Sequence, residues 1–406
     1  MVPLHHRLDC FAALAMTVEH IMLFDDFEEE LEDEDFVPDT TAELFENPEP
    51  RAQHLLIGHA DIEKKLLDLF QGGRHPHAII FAGPQGIGKA TMAFRLARYL
   101  LKSAEDEYNN ALAGPSMFGD EPAIAKDLNV DSKEQVFSKV ASAGHPDLLT
   151  IERLYDEKKD RRKTEVSVDE IRRIAPFMRK TPAIDGGWRI VIVDDADTMN
   201  RNSQNSILKI LEEPPEKSLL ILVTHRPGAL LPTIFSRSSL INFYPLENQL
   251  LIGFLSRVNP RLDRDDKELV ISMAEGSLGR AVEYADDKSM DVIKQTSELL
   301  KAWPKLDWVK IQFFSETIGK GATPEAQRAF QDYLLWVSST LLKAKAAGLP
   351  IPTALSVFST IGQEVSLAGW LQICDTLKEH FTRIHTGNLD KRFAVMGAFT
   401  IFENNV

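Results

Sequence analysis

The chain has 406 residues, enough for two or three domains, and a formal net charge of −15. That average hides a division: residues 1–50 carry fifteen acids against the single base Arg7, so the other 356 residues sum to about −1 and neither demand nor exclude nucleic acid. The two cysteines, Cys10 and Cys374, exclude a disulfide framework and a Cys-rich zinc site and fit a reducing cytoplasm, and no apolar run approaches the roughly 18 residues of a membrane span.

Asp25 to Asp35 holds nine acids in eleven positions, a block that repels itself and stays solvated. Residues 1–50 are therefore expected to be a disordered acidic extension. Two roles stay open for it: a solubilising tail, or a segment that docks on a basic partner surface through Phe24, Phe27 and Phe36. From Leu55 the pattern turns globular. Ile62, Leu66, Leu67 and Phe70 fall at helical spacing before Gly72-Gly73. Ala78 to Ala82 reads as a buried strand, and Met92, Phe94, Leu96 and Leu100 continue as helix to about Lys102. Residues 104–143 are polar, with Gly114-Pro115 and Glu121-Pro122, and are expected to be an insertion of loops and weak helix.

A second strand follows at Leu148–Ile151, then a basic, mobile-looking stretch from Lys158 to Lys163. Val168, Ile171, Ile174, Ala175 and Met178 predict one helix. Residues 189–197, RIVIVDDAD, are an apolar strand ending in acids. A helix carrying Ile207, Leu208 and Leu211 stops at Pro214-Pro215, and strands are expected at Leu219–Thr224 and Leu240–Phe243. Five strands alternating with helices predict a parallel three-layer α/β domain over 51–245. Beyond Pro245 the strands stop. Three short helices, the third after Gly276-Ser277-Leu278-Gly279, make a small bundle over 246–287. Residues 288–406 read as all helix: Thr323-Pro324-Glu325 caps one stripe (Phe330, Tyr333, Leu334, Val337, Leu341), and Leu367, Trp370, Leu371, Cys374, Leu377, Phe381 and Ile384 form another.

The chemistry concentrates at GPQGIGKA, 83–90, which follows a strand and opens a helix. Gly83, Gly86 and Gly88 let backbone N–H groups turn toward a phosphate, the helix N-terminus adds its dipole, and Lys89 supplies the mobile charge. The hydroxyl that should follow the lysine and hold magnesium is replaced by Ala90. Thr91 comes next, but one residue along a helix points about 100° away. Asp194 and Asp195 stand at the end of their strand, where acids hold magnesium and orient an attacking water.

Further stretches, GHPDL at 144–148, GGWRIVIVDDADTMN at 186–200, NSILKILEEPP at 205–215, LLILVTHRP at 219–227 and LLPTIFSRS at 230–238, resemble the clamp-loader subunits of bacterial DNA polymerase III, within the AAA+ family, and most closely their delta-prime family. The resemblance is strong over residues 54–285, rests only on size and helix content over 288–406, and is absent over 1–50. It implies an AAA+ P-loop domain, a small helical lid and an all-α C-terminal collar that joins five subunits. It also implies partners: gamma or tau motors and a delta subunit in a hetero-pentamer, and through them the sliding clamp and primed DNA. Thr224 then falls at the sensor 1 place, and Arg237, in Ser236-Arg237-Ser238, at the place of an arginine finger acting in trans. Motor subunits carry Ser or Thr where this chain has Ala90, Asp-Glu where it has Asp194-Asp195, and a lid arginine where it has Gly279, with Arg280 one place late. These departures favour a stator that binds ATP weakly, with uncertain magnesium and little intrinsic ATPase or polymerase activity, over the alternative of an ATP-hydrolysing motor. The family's zinc module has no cysteines here, so no zinc is expected, and the cytoplasm is the expected location.

Overall fold

The computed structural model describes residues 49–73, 75–113, 125–156, 161–387 and 390–405. The acidic extension therefore lies outside the described residues apart from Glu49 and Pro50, as do 114–124 of the polar insertion and 158–160 of the basic stretch. The chain divides into two compact units, one ending at Asp287 and the other beginning at Lys288.

In the first unit the strands are β1 (Ala78–Ala82), β2 (Leu148–Ile151), β3 (Tyr155–Asp156), β4 (Arg161–Arg162), β5 (Arg189–Val193), β6 (Ser218–Thr224) and β7 (Ser239–Asn242). Five of them form a parallel sheet in the order β2-β5-β6-β1-β7, so the parallel α/β domain expected from the sequence is present with all five of its strands. Every residue of β1, β5 and β6 is buried. Their apolar runs are continuous rather than alternating because both faces of the sheet are covered. Ile79, Phe81, Ile190 and Ile221 pack on one face with Leu66 and Phe94, and Ile80, Val191 and Leu222 pack on the other with Ile171 and Ile207. β3 and β4 pair antiparallel, and β4 lies within the stretch read as basic and mobile-looking.

The helices of this unit are α1 (Ala60–Gln71), α2 (Lys89–Ala113), α3 (Gln135–Ala141), α4 (Val168–Arg172), α5 (Ile174–Met178), α6 (Arg201–Glu212), α7 (Pro232–Phe235), α8 (Asn248–Val258), α9 (Arg264–Ala274) and α10 (Leu278–Ala285). Two differ from expectation. α2 runs to Ala113 rather than Lys102, taking in the first part of the stretch read as loops; Ala104 is buried, and the exposed continuation from Asp106 to Asn110 consists of residues a helix tolerates on a solvated face. The single helix predicted over 168–178 is two, meeting at Arg173. Pro176 supplies the reason: it has no N–H for the carbonyl four residues back, and its ring crowds that carbonyl, so the first helix ends before it.

The second unit is helical in its described residues: α11 (Asp287–Lys301), α12 (Trp308–Gly321), α13 (Pro324–Ala347), α14 (Ser359–Glu364), α15 (Leu367–Gly387) and α16 (Lys391–Glu403). Trp303 and Trp370 meet edge to face at 5.7 Å, and the Trp303 indole N–H donates to the Phe402 carbonyl at 2.9 Å. The stripe predicted on α15 is buried at Trp370, Cys374, Leu377, Phe381 and Ile384, but Leu367 and Leu371 are about half exposed, and Ile373 takes a core place instead.

Candidate nucleotide site

Because β1, β5 and β6 run parallel and in register (Ala82 beside Thr224, Val193 beside Leu222), the residues that follow them gather at one edge of the sheet. There the loop 83–88 turns into α2. Gly83 donates its N–H to the Thr224 carbonyl at 3.3 Å. A Cβ at Gly83 would sit 2.4 Å from the Phe243 carbonyl oxygen, so only glycine fits that approach. Gly86, at φ +77°, has no such freedom to lose either: a Cβ there would sit 2.4 Å from Ser277 Oγ. Ser277 caps α10, and the Gly279 N–H donates to the Gly86 carbonyl at 2.8 Å, so α10's turn rests on the phosphate loop. At Gly279, the position of the motors' lid arginine, a Cβ would lie 3.1 Å from the Gly86 Cα.

Lys89 opens α2 and is buried. Its ammonium donates to the Gly83 carbonyl at 2.7 Å, to the Pro84 carbonyl, and to His225 Nδ1 at 2.9 Å. Burial pushes its pKa down to about 8, against the pull of Asp194, Asp197 and Asp195. An ammonium only donates, so His225 Nδ1 accepts and its Nε2 carries the hydrogen. That Nε2–H donates to Asp195 Oδ1 at 2.8 Å. The other oxygen of Asp195 receives Arg153 twice, from Nε at 2.7 Å and from Nη2 at 2.6 Å.

The three acids after β5 therefore differ. Asp194 has its pKa raised, first by burial and then by the neighbouring Asp195 charge, and accepts the Asp195 N–H at 3.0 Å. Asp195 stands in a left-handed backbone (φ 53°); burial pushes its carboxyl up, but the hydrogen bond from His225 and the charge and bond of Arg153 outweigh that and lower it. Asp197 is also lowered. Burial opposes the shift, and the His225 N–H at 3.0 Å and Arg226 Nε at 3.0 Å prevail. The Thr224 hydroxyl, fully buried, faces Asp197 at 3.4 Å and accepts the Arg226 N–H.

The edge thus brings together the sequence-derived residues Gly83, Gly86, Gly88, Lys89, Asp194, Asp195 and Thr224. Thr91 is half-buried in the first turn of α2. Arg237 is not with them. β7 pairs with β1 in parallel, Ser239 opposite Ile79, so Arg237, in the turn just before β7, lies by the starts of these strands, with about the length of β1, roughly 17 Å, between it and the loop. Its guanidinium donates to the Thr233 carbonyl and Ser236 Oγ at 3.1 and 3.2 Å and pairs with Glu212 at 3.0 Å.

Sequence reading missed His225, Arg153 and Asp197. Asp197 was visible in the acidic run after β5, and His225 directly follows Thr224, but nothing in local spacing joins His225 to Lys89, 136 positions away. In chemical terms the loop's glycine turns suit a phosphate. The set does not fit magnesium as well: position 90 has no hydroxyl and both oxygens of Asp195 are already bonded to cationic or N–H groups. Among the described residues no cluster of three or more His, Cys, Asp or Glu is arranged to hold a metal, and no helix is long and apolar enough to cross a membrane.

Residues 58–247 match the family model described as DNA polymerase III, delta subunit. The chain is 34% identical over 168 residues to the DNA polymerase III subunit delta' of Pseudomonas aeruginosa, covering 41% of this chain and 43% of that protein. It is 26% identical over 219 residues to the delta' subunit of Escherichia coli, covering 54% and 57%. It is also 25% identical over 256 residues to the tau subunit of Bacillus subtilis, covering 60% and 39%. The chain thus spans about half the length of the curated relatives it matches. It carries a phosphate loop between parallel strands and, over residues 58–247, is similar to the DNA polymerase III delta-subunit family and to its delta' members.

Proposed function

We propose that the chain is the stator of a clamp loader: a delta-prime-type subunit of DNA polymerase III that helps place a sliding clamp on primed DNA while turning over little or no ATP itself. One observation carries the reading, the separation of two ends within one domain. At the loop end, Lys89 and Asp195 are bonded to protein groups and position 90 lacks a hydroxyl. At the far edge, Arg237 is too distant to serve its own loop and is half-exposed. A guanidinium is always charged and its planar fork can engage two phosphate oxygens. Its exposed pair with Glu212 is of the kind that contributes about 1 kcal/mol or less, so a neighbour's phosphate can displace it.

On this reading residues 51–245 are the nucleotide-type domain, 246–287 its lid, and 288–406 the collar that joins gamma or tau and delta in a hetero-pentamer. ATP is held weakly and without strong dependence on magnesium. Arg237 completes the ATP site of the adjoining motor, where such fingers contribute roughly 10³–10⁵ in rate. In a pentamer reconstituted with gamma or tau and delta, Arg237→Ala is expected to assemble normally, to lower only the ATP hydrolysis of the one facing site, and to slow clamp loading. Wild-type hydrolysis and loading by the assembled variant would remove Arg237 from the mechanism.

The intact Lys89 and the similarity to tau favour one second reading, an ATP-hydrolysing motor. Steady ATP turnover by the purified chain, abolished by Lys89→Ala, would establish it in place of the stator.

A further inference from the structure

We infer that His225 is an internal competitor for nucleotide: it holds the P-loop lysine through Nδ1 and occupies Asp195 through Nε2, so that a phosphate or a divalent cation entering the loop must displace it. The inference rests on the reading of 83–89 as a nucleotide loop and adds a residue outside that loop, at the end of β6.

An ammonium has three hydrogens to donate. All three of Lys89's are placed, on the Gly83 carbonyl, the Pro84 carbonyl and His225 Nδ1. Two of those acceptors belong to the loop that would cradle the phosphate. The third is the only one supplied from a distant element, the end of β6. His225 is itself held from two sides. Its backbone N–H is fixed on Asp197 at 3.0 Å, and its Nε2–H on Asp195 at 2.8 Å. Arg153 holds the far oxygen of the same Asp195, so the imidazole is clamped in a chain of four side chains, Lys89–His225–Asp195–Arg153. In that chain the imidazole presents an acceptor to the lysine, as a phosphate oxygen would, and a donor to the acid, in place of a metal ion. Both ends of the ligand-binding chemistry are thereby satisfied within the protein.

His225 acts through Lys89 and Asp195 and is a positioning residue. Hydrogen bonds to charged groups are worth about 1.5–3 kcal/mol, which corresponds to roughly ten- to hundredfold in affinity. The test is equilibrium binding of a fluorescent ATP analogue to the full chain, with and without magnesium, for three His225 variants and for one of them combined with Lys89→Ala, the folding of each checked by thermal unfolding. Asn at 225 places an amide oxygen near the position of Nδ1, whereas Gln places its amide near Nε2 and leaves Lys89 without that acceptor. His225→Gln and His225→Ala are therefore expected to bind about ten- to hundredfold more tightly, His225→Asn to bind as the wild type, and Lys89→Ala introduced into His225→Gln to erase the gain. Binding to the wild type should also shift the imidazole Nδ1 resonance of His225, which a purely structural histidine would not report. Should His225→Gln fold and bind with wild-type affinity, His225 does not compete and the inference is overturned, with the loop still a nucleotide loop. If neither the wild type nor any variant binds, both the inference and the ATP-binding part of the functional reading fail, while Arg237 and clamp-loader assembly remain separately testable.

Discussion

Asp147 shows how a motif residue acquires its purpose only from distant partners. It is buried between β2 and the strand beside it; both its oxygens accept the Ala183 N–H at 3.1 Å, and Oδ1 lies 3.2 Å from Arg189 Nη1. Arg189 is buried too, with its guanidinium over the Phe177 ring at 5.2 Å and its Nε without a partner among the described residues. Breaking one member of such a pair leaves an uncompensated buried charge, which costs about 3–5 kcal/mol. Asp147→Ala is therefore expected to lower the unfolding free energy by that amount, seen as a lower denaturant midpoint with an unchanged slope, whereas a surface carboxylate such as Asp169 changed to alanine should shift the midpoint little. A wild-type midpoint in Asp147→Ala would show the pair to be dispensable. The sequence offered GHPDL as a family mark; that its aspartate neutralises the first residue of β5 could not be read from it.

Elements were legible in the chain where their signals are local. The cap Thr323-Pro324-Glu325 predicts a helix start, and Thr323 accepts the Ala326 N–H at 3.2 Å to open a helix of 24 residues that closes at Gly348 in a left-handed turn. Because that bond satisfies one of the helix's first unpaired donors, Thr323→Ala is expected to cost about 1 kcal/mol and Thr323→Ser to restore most of it, read from the thermal midpoint of the full chain. Equal midpoints for wild type and the alanine variant would show the cap to be irrelevant. The continuous apolar runs of β1, β5 and β6 were legible for a similar reason, since a strand covered on both faces has no polar side to show. The break at Arg173 was harder to place. Ile171 and Ile174 keep helical spacing across it, so the hydrophobic pattern runs on while Pro176 interrupts the backbone bonding. On α15, Leu367 and Leu371 share the spacing of Trp370 and Cys374 but lie on its exposed flank.

For the whole molecule, composition bounds what the protein can hold. Structural zinc needs four closely placed ligands, mostly thiolate or imidazole, and residues 104–146 contain only His145, which is buried and accepts the Asp147 N–H at 3.2 Å. Elemental analysis of the purified chain is expected to find no stoichiometric zinc; about one zinc per chain would overturn this. The sequence by itself determined the parallel α/β class, the position of the phosphate loop, the helical remainder and the concentration of charge in residues 1–50, because strand burial, glycine turns and charge runs are written in neighbouring residues. Only the tertiary structure decided which groups meet at the ends of the strands. Parallel register brings Lys89, Arg153, Asp195 and His225 to one edge and sends Arg237 to the other, and register is a property of paired strands rather than of any stretch of sequence.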